Sequence, residues 1–138
     1  MDIKTYQAEA ENTKSDKFYN PLEFVYSNSD KYNQEHKIVD ILHAIIGIAT
    51  EGGELLDPIK KAMFYGKPLD LVNLDEEIGD IMWYVSIYCT ARGTTIEQIC
   101  EQNNAKLKTR YPDKFTESAA NNRDLAKERS VLEENNNG

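Results

Sequence analysis

Cysteine, tryptophan and positive charge are scarce in this chain, and each scarcity closes a class of interpretation. Two cysteines, Cys89 and Cys100, cannot build a disulfide framework and form no CxxC pair. Both are therefore expected as reduced thiols on apolar helical faces. No apolar run approaches the roughly 20 residues that span a bilayer. The first residues, MDIKTYQAEAENTK, also lack the apolar stretch of a secretory leader, so a soluble, cytoplasmic protein with no membrane partner is expected. Sixteen Lys and Arg against 24 Asp and Glu leave a formal charge of −8. That balance opposes broad attraction to a nucleic acid backbone, and no nucleic acid partner is expected. GxSxG, HExxH, P-loop and dinucleotide fingerprints are all missing, which removes the common nucleophilic-serine, zincin and P-loop chemistries. His36 and His43 stand seven apart without a partner Cys or His motif, so zinc has little support and His43 is expected at the surface or in the core.

What is present is helical periodicity. At 138 residues the chain is long enough for one compact domain without disulfide staples. A short opening helix fits Ile3 to Thr13, and the stretch from Ser15 to Gln34, rich in Asn, Ser, Asp and Tyr, reads as loop. From His36 to about Tyr65, Ile38, Ile41, Leu42, Ile45, Ile48, Leu55, Leu56 and Ile59 recur at three- and four-residue steps. This predicts a long amphipathic helix, kinked near Glu54 because Pro58 removes a backbone donor.

A second helix is expected from Asn73, acting as cap, through Ile78, Ile81, Met82, Val85 and Cys89 to Gly93. Thr94 and Glu97 suit a capping box for a third, carrying Ile96, Ile99, Cys100, Asn103 and Leu107 inward until Pro112. A last helix is expected from about Thr116 to Glu134, with residues 135–138 frayed. No segment alternates as a strand does, so the fold class is all-α, an antiparallel helical bundle.

The chemistry is concentrated in four acids. Glu51 and Glu54 in EGGE, and Glu77 and Asp80 in EIGD, are each three residues apart, which puts each pair on one face of its helix. Side by side, the two helices would aim four carboxylates at one hole. Oxygen-only ligation of that kind favours magnesium, with manganese as a substitute. In so acidic a chain the spacing alone is a weak signal, and context must decide. Both pairs border apolar stripes, and Trp83 and Ile87 continue apolar character beyond Glu77 and Asp80, as expected of acids lining a cleft. The bland alternative is a solvated face, with Glu54 pairing with Lys60 or Lys61 and Glu77 complementing its helix N-terminus. Complementary charge follows in NNAKLKTRYP, where Asn103, Lys106 and Arg110 share a face suited to phosphate oxygens. The rival reading there is a basic helix end complementing its own dipole.

The runs EGGELLDPIKKAMFYGK, NLDEEIGDIMWYV and NNAKLKTRYPDKFT, in that order, resemble the MazG-like branch of the all-α nucleoside triphosphate pyrophosphohydrolases. The likeness extends from about His36 to Arg129, within a single domain over residues 1–138. Thr50 stands where the family often has a leading glutamate. The resemblance implies magnesium-dependent hydrolysis of a nucleoside triphosphate, a deoxynucleotide in particular, to the monophosphate and pyrophosphate. It implies Glu51, Glu54, Glu77 and Asp80 as metal ligands, with Glu54 ahead of Glu51 for activating water. Lys106, Arg110, Asn103 and Lys61 would hold phosphates, and Trp83 or Tyr84 the base or sugar. A homodimer or a dimer of dimers is implied as well. Phosphoribosyl-ATP or a guanosine tetraphosphate as substrate, and a non-catalytic nucleotide- or metal-binding module, are the alternatives.

Overall fold

A computed structural model of the chain describes residues 2–15 and 35–134. The expected loop before Gln34, apart from Ser15, and the expected frayed tail lie outside the described residues. The chain divides into two units, Met1–Val39 and Asp40–Gly138. In the first, α1 (Ile3–Thr13) begins where Asp2 accepts a hydrogen bond from the Thr5 amide at 2.8 Å, and its side chains are exposed. Helix α2 (Glu35–Glu54) enters the second unit, which continues with α3 (Leu56–Tyr65), α4 (Leu71–Arg92), α5 (Ile96–Arg110), α6 (Glu117–Asn121) and α7 (Leu125–Glu134). No strand occurs among the described residues, so the fold is all-α.

Local chemistry explains most boundaries. Pro58 has no amide to offer the carbonyl four residues back, and the helix breaks at Leu55, one residue after Glu54. Gly66 and Gly93 end α3 and α4 in the left-handed conformation, with φ of 62° and 68°. Three expected boundaries need correction. Helix α4 starts two residues before Asn73, because Asp70 accepts from the Asn73 amide at 3.1 Å and is itself the cap. The capping box of α5 is Thr95 with Gln98, one residue beyond the expected pair; each side chain bonds the other's backbone, at 3.1 and 3.0 Å. The single last helix is two, separated at 122–124, where Asp124 accepts from the Lys127 amide and starts α7 afresh.

Packing within the second unit has two anchors. Between α5 and α7, the buried Glu128 takes a bidentate fork from Arg110, at 2.8 and 2.6 Å, and a further bond from Arg123 at 2.7 Å. These guanidinium groups hold the Glu128 carboxyl at about 2, below the ordinary 4.5. The lock is therefore complete above the ordinary carboxylate value and is lost as pH falls through about 2. Between α2 and α4 the anchor is Gly47. A Cβ there would overlap the carbons of the Tyr84 ring, so only glycine admits the ring this close.

The apolar core is thin. Among the described residues the buried apolar side chains are Ile38, Ala44, Cys89 and Ala91. The stripes expected to form the core instead leave Ile45, Leu56, Ile59, Ile78 and Met82 exposed, and Cys100, expected on the inner face, is exposed too. Gly47→Ala is expected to destabilise the protein by about 1–3 kcal/mol, the usual scale of overpacking. In a Tyr84→Ala background the same change should stabilise by up to about 1 kcal/mol, through helix propensity. Denaturant melts of the four proteins check this, and equal effects in both backgrounds would refute the close approach.

Candidate active site

Helix α2 brings Glu51, and α4 brings Glu77 and Asp80, to a common point. One carboxylate oxygen from each lies within 4.8 Å of the other two. Their environments differ: Glu77 is 7 % exposed, Glu51 is half-buried and Asp80 is exposed. Glu54 stands outside this trio but lines the cleft beside it, of about 630 Å³, together with Asp57, Lys61, Asn73 and Glu77. Thr50 turns its hydroxyl to the Gly47 carbonyl at 2.9 Å, so it adds nothing to the acids.

The charge acting on Glu51 is all of one sign. Loss of solvent raises its pKa first, and Glu54, Asp80 and Glu77 raise it further, with a hydrogen bond between the Glu51 and Glu77 carboxyls. Like charges held this close are unfavourable until a cation joins them. The donor set, all carboxylate oxygen, fits a hard divalent ion.

Asn73 is a site residue that sequence reasoning missed. Its side-chain amide donates to Glu77 Oε1 at 2.9 Å, one turn along α4. The bond satisfies one oxygen of the buried carboxylate and orients the other. The signal was present in the four-residue spacing to Glu77. It was masked because Asn also makes a good cap, the role that Asp70 takes.

The basic residues are distributed differently from the acids. Lys61 lines the cleft, but it and Lys60 pair with Asp57, not Glu54. Arg110 directs its fork at Glu128 and does not line the acid cleft, and its pKa is raised chiefly by that bond. Asn103 is exposed and Lys106 half-buried on α5, and neither lines the acid cleft. Tyr84 is half-buried with its ring edge-on to His43, centroids 5.5 Å apart, and to Trp83 at 4.9 Å. Trp83 is 55 % exposed and lines a second cleft of about 380 Å³ with Asp40, His43, Ile87 and Thr90.

The raised pKa of Glu51 has a consequence for the cation-free protein. A carboxyl with a raised pKa contributes stability that is complete below its ordinary 4.5 and is lost as pH rises through the folded value. Glu51→Gln should therefore melt higher than the unsubstituted protein at pH 7 in chelator, and the two should converge in acid. Thermal melts across pH check this; a lower melting temperature for the variant at pH 7 would contradict it.

The comparisons with known proteins agree with this arrangement. A family model described as the MazG nucleotide pyrophosphohydrolase domain matches residues 41–115, more than half of the chain, and includes all four acids. None of the curated proteins and none of the solved structures matches the chain at a significant level. No helix among the described residues is long and apolar enough to cross a membrane. The acids facing one another across α2 and α4, within the span of the family match, lead to one conclusion: the chain belongs to the MazG nucleotide pyrophosphohydrolase domain family.

Proposed function

We propose that this chain hydrolyses a nucleoside triphosphate, a deoxynucleotide in particular, between its α- and β-phosphates, releasing the monophosphate and pyrophosphate with magnesium as cofactor. The observation that carries this reading is the convergence of Glu51, Glu77 and Asp80 with no opposing charge acting on Glu51. Bound among them, magnesium would supply positive charge for the phosphate oxygens and hold the substrate in place. Asn73 keeps the Glu77 carboxylate turned toward its neighbours.

Glu54 is exposed on the cleft wall and lies outside the trio, which suits it to accept the proton of the attacking water. The water oxygen then bonds the α-phosphorus as the bond to the bridging oxygen breaks, and pyrophosphate leaves. Lys61, which lines the same cleft, steadies the departing phosphates in this reading. Asn103 and Lys106, on α5, reach a substrate in this reading only across a boundary with another copy. Arg110 first holds α7 through Glu128. The activity belongs to one all-α domain with its core over about residues 36–129, and its role is to clean or adjust the nucleotide pool.

A second copy of the chain completes the molecule. Ile45, Ile46, Ile78 and Met82 on α2 and α4, and Met63 and Phe64 on α3, are 45–73 % exposed, an apolar burden that a lone domain rarely carries. Size-exclusion chromatography with light scattering is expected to show a homodimer or tetramer, and a fully active monomer would remove this element of the reading.

The activity itself is tested by pyrophosphate release from a panel of canonical and modified nucleoside triphosphates, with phosphoribosyl-ATP and a guanosine tetraphosphate included. Release from at least one deoxynucleotide is expected with magnesium and none with chelator. Glu77→Gln or Asp80→Ala should lower it by about a hundredfold or more, the scale of losing a principal charge-stabilising group. Full turnover in those variants would sink the site; magnesium-dependent binding without hydrolysis would reduce the chain to a binding module.

A further inference from the structure

Helices α4, α5 and α7 meet around a third cavity, of about 310 Å³, lined by Tyr88 and Arg92 of α4, Ile99 and Gln102 of α5, and Arg129 and Leu132 of α7. It shares no lining residue with the acid cleft. Along α4, Arg92 lies beyond Asp80 by about 18 Å at about 1.5 Å per residue, so the cavity belongs to the opposite end of the helix. Its walls are held in place by contacts already described. Helix α5 packs more extensively on α7 than on α4, and the cavity lies where these two neighbours of α5 come together. Glu128, the residue before Arg129, fastens α7 to α5 through the Arg110 fork, which fixes the wall that Arg129 and Leu132 supply.

We infer that this cavity is a second ligand site, remote from the acids, for an organic phosphate monoester whose phosphate is held between Arg92 and Arg129. Two guanidinium groups from different helices line one small space in a chain of net charge −8, a local reversal of sign that calls for an anion. The three terminal oxygens of a phosphate can accept from two planar forks arriving from different directions, which the two coplanar oxygens of a carboxylate do less well. Glu133 occupies part of this role already. Its carboxylate accepts from Arg129 Nε at 2.5 Å, a bond that uses one of the five N–H groups of a guanidinium.

The remaining walls suit the body of such a compound. Tyr88, Ile99 and Leu132 are half-buried and contribute ring and aliphatic surface from three helices. Thr94, in the turn between α4 and α5, gives its hydroxyl proton to Gln98 Oε1 at 3.0 Å, so its oxygen is an acceptor toward the cavity, and the Gln102 amide carries both a donor and an acceptor. An apolar lining with a few unlike polar groups is the usual make-up of a small-molecule site, and the volume falls at the lower end of the usual range of about 300–1,000 Å³. Those walls favour a nucleoside monophosphate over a bare sugar phosphate. Bound there, the phosphate joins Arg92 to Arg129 and so ties α4, the helix of Glu77 and Asp80, to α7. The inference does not rest on the hydrolase reading, because none of the acids takes part in it.

The test is calorimetric titration of the full-length protein in chelator, which denies the acids a cation, with deoxynucleoside monophosphates, ribose 5-phosphate, a deoxynucleoside and inorganic phosphate as separate probes. Saturable binding of at least one organic phosphate is expected, tighter than that of the deoxynucleoside or inorganic phosphate, and the stronger of the two organic phosphates identifies the body the walls accept. Amide resonances of Thr94, Gln102 and Leu132 should shift on binding. Arg92→Ala with Arg129→Ala should weaken it by about tenfold or more, the scale of losing charge-assisted bonds, while Glu77→Gln leaves it unchanged. Both arginines are exposed, and the double Lys variant, which keeps the charges but not the forks, should weaken binding as well if the Ala variant fails to fold. No binding of any organic phosphate, equal binding of inorganic phosphate, or binding that survives loss of both arginines would overturn the site. Each of those results leaves the hydrolase reading standing, and a chain inactive on every triphosphate that still binds a monophosphate through Arg92 and Arg129 would overturn that reading alone.

Discussion

Helices α2 and α4 hold Glu51, Glu77 and Asp80 together against their mutual repulsion, and the rest of the site depends on that constraint. Crowded carboxylates lose water, and the acidic neighbours of Glu51 raise its pKa, which works against folding unless packing elsewhere offsets it. The offset comes from a neighbouring turn of the same two helices. Gly47 gives up its side chain so that the Tyr84 ring can enter, and the ring meets His43 and Trp83 edge-on. Neutral, shape-specific packing thus stands beside repulsive charge, a division of labour common where function is built on strain.

The break at Leu55 serves the same arrangement. With Pro58 denying Glu54 its helical partner, α2 ends at Glu54 and α3 starts anew, so that Asp57 and Lys61 line the wall of the cleft. Asp57 engages both Lys60 and Lys61, and its pKa is lowered chiefly by the bond to Lys61. Cationic charge is thereby kept near the cleft without neutralising Glu51. On the other side of the unit, Glu128 draws Arg110 and Arg123 together, so α5 and α7 are joined by charge-assisted bonds where the apolar core is sparse. The two anchors are chemically opposite, and each lies where the other kind of interaction is lacking.

Much of this was legible in the order of residues. The i, i+3 spacing of the acids puts each pair on one face of any helix, and the apolar periodicity makes the segments helical. Proline and the left-handed glycines Gly66 and Gly93 mark stops by local sterics alone. Caps were less legible, since Asp70 and Asn73, or Thr94 and Thr95, are chemically near-equivalent and a shift of three residues or of one decides between them. The last helix was misread because no proline or glycine separates α6 from α7. The interruption is made by side-chain bonding at Asn122 and Asp124, which helix periodicity does not register.

The sequence by itself determined the all-α class, the family and the pairing of acids on helix faces, because all three depend on local spacing and residue type. Only the tertiary structure decided that Glu51 joins Glu77 and Asp80 while Glu54 stands apart, that Asn73 holds Glu77, and that Arg110 is taken by Glu128. It also decided that Tyr84 passes between the helices at Gly47. Each of these depends on the separation and rotation of two helices about their axes. Those quantities are set by contacts between residues distant in the chain, and no periodicity within one segment carries them.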